Sequence, residues 1–142
     1  MTVRTRAQAA LLIVVSLGPA ACSRPAPSGD AATQAVRVTD VNLGRSLNAD
    51  KTVGDNTESF RPADTIYASV VTDGSSPSAT LKARWTYQDG QVVDESVQTI
   101  APTGKATTEF HISKPDGWPA GKYKVEVSLN GVSADTKDFE VK

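Results

Sequence analysis

From residue 36 onward, hydrophobic and polar residues alternate along most of this chain. A period of two places successive side chains on opposite faces of an extended strand, one face packed and the other wet. In "ATLKARWTYQ" (79–88), Leu81, Ala83, Trp85 and Tyr87 interleave with Lys82, Arg84, Thr86 and Gln88. In "GKYKVEVSL" (121–129), Tyr123, Val125, Val127 and Leu129 interleave with Lys122, Lys124, Glu126 and Ser128. "DTIYASVVTD" (64–73) sets Ile66, Ala68 and Val70 on one face, and "ATTEFHIS" (106–113) sets Phe110 and Ile112 inward. "VRVTDVNLG" (36–44) changes phase between Val38 and Val41, which predicts a bulge near Thr39 or Asp40. Further strands are predicted over 91–100 and over 132–141, the last with Phe139 and Val141 inward. Asp89-Gly90 and Asn130-Gly131 are hairpin signals, because both residue pairs tolerate the positive φ that tight turns demand. Seven strands separated by turn signals, with no 3.6-residue period among them, predict an all-β fold: a two-sheet sandwich.

The N-terminus follows another pattern. Arg4 and Arg6 precede the apolar run "AALLIVVSL" (9–17), and small residues follow at Ala20 and Ala21, the tripartite order of a secretory signal. The run is far short of the roughly 20 residues a spanning helix needs. "SRPAPSGDAATQA" (23–35) is built from Ser, Pro, Ala and Gly and buries too little to offset its ordering entropy, so it reads as a linker. Flexible chain of that length spans roughly 20 Å root-mean-square. The expected organisation is a signal peptide over 1–21, a cysteine and tether over 22–35, and one sandwich domain over 36–142.

Composition narrows the chemistry. The 142-residue chain has a formal net charge of -1 and its Lys and Arg are scattered among acids, which argues against nucleic acid as a partner. A single cysteine, Cys22, excludes an intrachain disulfide and any CxxC pair, so packing alone must hold the fold. His111 is the only histidine, which excludes a multi-histidine metal site; on its strand it shares a face with Glu109 and points outward. No GxSxG elbow is present. The acids Asp50, Asp55 and Glu58, and Asp89, Asp94 and Glu95, lack calcium-loop spacing and read as solvated loop charge. Neither catalytic residues nor a cofactor are expected. Aromatic residues remain as candidates for a binding surface. Trp118, in "KPDGWPAGKY", either caps one end of the sandwich or stands exposed as an anchor for a partner or sugar ring; Tyr87 and Tyr67 carry the same two readings.

Two resemblances add to this. "PAAC" (19–22) resembles the lipobox of bacterial lipoproteins, in which small residues precede a cysteine that receives a diacylglyceryl group and becomes the mature N-terminus. Pro19 departs from that pattern, standing where the family prefers Leu. The competing reading is ordinary cleavage after Ala20, which leaves a free thiol and a soluble periplasmic protein. Lipidation of Cys22 implies a membrane-lipid anchor, since two acyl chains hold stably where one does not. Ser23, rather than Asp, after the cysteine implies the outer membrane by resemblance to enterobacterial sorting. The second resemblance is to immunoglobulin-like domains of bacterial extracytoplasmic proteins. Trp85 lies on the third predicted strand, and Tyr123, after Pro119-Ala120-Gly121, resembles a tyrosine corner. Antibody domains carry a cysteine two residues after that tyrosine; here the residue is Val125. The function these readings imply is a non-enzymatic, lipid-anchored envelope module that engages a protein or polysaccharide. The alternative is a soluble periplasmic sandwich of ligand-binding or proteinase-inhibitor-like type.

Overall fold

The structure, a computed structural model, describes residues 34–142. The predicted signal peptide, Cys22 and the predicted tether up to residue 33 lie outside the described residues. The strands are β1 (Arg37–Gly44), β2 (Ser59–Phe60), β3 (Ile66–Asp73), β4 (Ala79–Tyr87), β5 (Gln91–Ile100), β6 (Ala106–Ile112), β7 (Gly121–Leu129) and β8 (Val132–Val141). They form a three-stranded sheet, β1-β3-β6, and a five-stranded sheet, β2-β8-β7-β4-β5. This is an immunoglobulin-like β-sandwich without a disulfide. The seven predicted strands are all present, and β2 is an addition: Ser59 and Phe60 run parallel to Glu140 and Val141. Two residues are too few to display a period, yet Phe60 is fully buried.

The inward residues are those that alternation selects. Val41, Leu43, Ile66, Ala68, Val70, Phe110 and Ile112 of one sheet form a single buried cluster with Leu81, Ala83, Trp85, Val125, Val127, Phe139 and Val141 of the other. Val125 is the register partner of Trp85. Burial of one such side chain contributes about 1.5–3 kcal/mol, the same order as the ~2–4 kcal/mol of a disulfide. Aliphatic packing therefore suffices where antibody domains place a bridge. Tyr123 forms the tyrosine corner, its hydroxyl donating to the Pro119 carbonyl at 2.7 Å.

The β1 phase change is a bulge at Thr39, where the register with β3 jumps from Val38 to Asp40. Asn130 and Gly131 adopt φ of 50° and 82°, the left-handed pair expected of their hairpin. The other hairpin differs from expectation. Tyr87 pairs with Gln91, so the loop is Gln88-Asp89-Gly90, with positive φ at Gln88 (45°) and Gly90 (100°) rather than at Asp89. β4 ends at Tyr87, whose ring packs on Tyr123 with centroids 4.6 Å apart, and the loop starts one residue earlier than the Asp-Gly signal predicts. This short loop keeps β5 beside β4. In the constant-type immunoglobulin arrangement the fourth strand instead joins the sheet of the first two.

The register defines two poles. Arg37, Asp73, Ala79, Ile100, Ala106 and Leu129 lie at one, and Gly44, Ile66, Tyr87, Gln91, Ile112 and Gly121 at the other. The chain enters the domain at the first pole, where the Ser75 amide donates to the Gln34 carbonyl at 2.9 Å. Gly74 makes that approach feasible. Its φ is +119°, and a Cβ there would lie 2.6 Å from the Gln34 oxygen and 2.7 Å from that of Ala35.

Candidate binding cleft

At the second pole the β6–β7 loop folds back under Trp118. Its amide donates to the Pro62 carbonyl at 2.8 Å, and its indole Nε1 donates to the Asp64 carbonyl at 3.0 Å. The side chain is 5% exposed and meets Tyr123 edge-on at 6.2 Å. Of the two readings of Trp118, these contacts select the cap over the exposed anchor or sugar-stacking platform. Its polar atom is satisfied internally and its faces are packed, so it caps the sandwich.

Trp118 nevertheless forms the floor of something. A cleft of about 290 Å³ opens between the start of β5 and the β6–β7 loop, lined by Tyr87, Val92, Val93, Trp118, Pro119 and Tyr123 among others. A neighbouring recess of about 470 Å³ shares Val93, Lys114 and Trp118 with it and adds Asp94 and His111. The structure thus brings Tyr87 and Trp118 together around Tyr123. Tyr87 is half-buried, its hydroxyl donating to the Ala120 carbonyl at 3.0 Å and accepting from the Gln88 amide nitrogen at 2.9 Å. Burial, and then the neighbouring Tyr87, raise the Tyr123 phenol above its ordinary pKa.

Tyr67 lies elsewhere, on the outer face of the three-stranded sheet, and lines neither recess. Its ring sits 5.6 Å from that of His111, whose Nδ1 is 3.1 Å from the Glu109 carboxylate. His111 faces outward beside Glu109, as the strand period predicts. The loop acids have local roles. Thr52 donates to Asp50 from its hydroxyl at 2.6 Å and its amide at 3.1 Å, which lowers the Asp50 pKa. Among the described residues no three His, Cys, Asp or Glu side chains converge as a metal site. A further recess, about 620 Å³ at the β2–β8 edge, is lined mainly by charged and hydroxyl side chains such as Glu58, Lys122, Asp138 and Glu140.

Residues that the sequence reading missed are Val92, Val93 and Lys114. A signal existed: "QVVDESVQTI" (91–100) has polar residues at both phases of the alternation. The register confirms what this means, because Asp94, Ser96 and Gln98 stand opposite the fully buried Trp85, Ala83 and Leu81. β5 overhangs the core.

The class this architecture defines is the immunoglobulin-like sandwich, and comparison with solved structures agrees. An immunoglobulin-like protein from Pseudomonas aeruginosa matches at a TM-score of 0.51 and 15% identity, over 78% of this chain and 99% of that one. An alkylpurine DNA glycosylase from Pseudomonas fluorescens matches at 0.49 and 14% identity, over 75% of this chain but 30% of its own length. A putative β-galactosidase from Bacteroides fragilis matches at 0.47 and 19% identity, over 74% of this chain and 17% of its own. The first likeness carries the fold alone, and the other two, below 0.5, carry no argument. No protein-family model matches the chain, and no curated protein matches it either.

Proposed function

We propose that this chain is a non-enzymatic, lipid-anchored module of the bacterial envelope that holds a protein or polysaccharide partner. The observation that carries the reading is polarity along the strands. The chain enters at the pole of Arg37 and Ser75, while the cleft at Tyr87, Val92 and Trp118 opens at the opposite pole. A domain held by acylated Cys22 through the tether would present its cleft away from the lipid. Outer-membrane attachment through Cys22 follows from the lipobox resemblance and Ser23. The non-enzymatic reading is supported by the surroundings of His111, whose ring is exposed, with Nδ1 on the Glu109 carboxylate and the Tyr67 ring beside it.

Membrane fractionation of wild type and Cys22→Ala, with mass spectrometry of the mature N-terminus, tests the anchor. The expected result is a diacylated Cys22 and release of the variant into the soluble fraction; an unmodified chain beginning at Ala21 would give a soluble periplasmic domain. Photocrosslinking in cells from sites scanned over both sheets tests the module, and His111→Ala should leave capture unchanged. Absence of capture from every site, together with a turnover that His111→Ala abolishes, would overturn it.

A further inference from the structure

We propose, on the basis of the binding-module reading above, that the free edge of β5 is a strand-addition site for an extended polypeptide segment of a partner protein. The segment pairs with residues 91–97, seats one apolar side chain in the cleft against Tyr87, Val92 and Tyr123, and offers an acidic residue to Lys114 and a basic one to Asp94.

The backbone supplies the first argument. β5 is the terminal strand of its sheet and, among the described residues, pairs with β4 alone. Alternate residues of an antiparallel edge strand point both N–H and C=O away from the sheet, a ready template for another strand. Val92 and Val97 stand opposite Thr86 and Lys82 on the outer face of the sheet and are 47% and 55% exposed, so apolar groups flank the free edge. The β5 register is broken by a bulge at Val93, between Trp85 paired with Asp94 and Thr86 paired with Val92. At the other end, the Gln98 side-chain Nε2 donates across to the Glu109 carbonyl of β6 at 2.6 Å and bounds the free stretch.

Side chains select the occupant. The cleft beside residues 91–93 is lined by aromatic and aliphatic groups and takes one apolar side chain, as alternate-residue pockets do in strand addition. Lys114 lines both recesses and makes no ion pair within 4.0 Å among the described residues, and Asp94 makes none either. Two unspent opposite charges flanking an apolar cleft match a segment of the complementary order. A second copy of β5 fits poorly, because Asp94 and Glu95 of both copies would crowd one seam. A glycan fits poorly too. Trp118 and Tyr123 are 5% and 3% exposed, so neither presents a face for stacking, and the half-buried Tyr87 is held by its bonds to Ala120 and Gln88.

The test uses the full chain in lipid nanodiscs and a set of synthetic peptides. Each is an alternating Thr/Val decamer with one Leu, one Glu and one Lys at varied positions; chitohexaose is the glycan arm. A binding peptide is expected to slow amide exchange at residues 91–97. Its twin, N-methylated on alternate residues, should bind at least about tenfold more weakly, since two or more hydrogen bonds are lost. Lys114→Glu should weaken the Glu-bearing peptide about two- to fivefold, and exchanging that Glu for Lys should restore it. The proposal is overturned if no peptide of this pattern binds, if protection appears elsewhere, if the N-methylated twin binds equally well, or if chitohexaose alone protects β5. Should crosslinking in cells capture a partner from Lys124 on the outer sheet face and never from β5, strand addition falls while the module reading stands.

Discussion

Tyr123 shows how one side chain joins core and surface. Its ring stacks on Phe139 with centroids 5.3 Å apart while its hydroxyl closes the corner at Pro119. Tyr123→Phe removes a buried donor and strands an acceptor, and should cost about 1–3 kcal/mol, read as a lower urea midpoint with an unchanged slope. The raised phenol pKa adds a pH signature. A folded-state pKa above the unfolded value of about 10 means the native state holds its proton longer. That contribution is complete below pH ~10 and is lost as pH rises through the folded value. Urea midpoints between pH 8 and pH 11 should therefore fall less steeply in Tyr123→Phe than in wild type; parallel curves would remove this residue as the source. Trp118 teaches a different lesson about legibility. Its loop position, off any alternation, left both capping and exposure open in the sequence. Only the contacts with Asp64 and Pro62, more than fifty residues away in sequence, decide for the cap.

Among the elements, legibility tracks how many faces a strand buries. β4 and β7 sit inside the five-stranded sheet with one face packed and one wet, so Leu81, Ala83, Trp85, Val125 and Val127 announce themselves by alternation. β5 buries neither face fully, and its period is lost, although that same loss marks it as an overhang. β2 owes its existence to Phe60 filling the core against Phe139, a tertiary contact with no local signature. The seat of the N-terminal segment on Gly74 was equally invisible, since a glycine after an aspartate reads as an ordinary turn. Gly74→Ala would force a side chain onto the backbone of Gln34 and Ala35 at a φ that L-residues rarely adopt, costing about 1–3 kcal/mol. The expected readout is faster exchange of the Ser75 amide with the β4–β7 ladder still protected. Unchanged protection at Ser75 would mean the seat tolerates a methyl group.

For the whole molecule, the consequence of opposed poles is mechanical. Lipid would pull at Arg37 and a partner at the far end of β4 and β5, so tension runs nearly parallel to the strands. Hydrogen bonds perpendicular to an antiparallel pair are then loaded together, in shear, instead of one after another as in a zipper. β1 is held to β3 by a ladder running from Arg37 to Gly44, and it would act as the clamp. Single-molecule stretching between residue 34 and the 88–90 loop should give a high rupture force that drops when the pull is moved to residue 34 and Asp73, where the same ladder unzips from its end. Equal forces in both geometries would show that β1 carries no load. On the function proposed above, a sandwich wired in this way would hold its cargo against shear at a surface, with the load spread over a whole ladder at once.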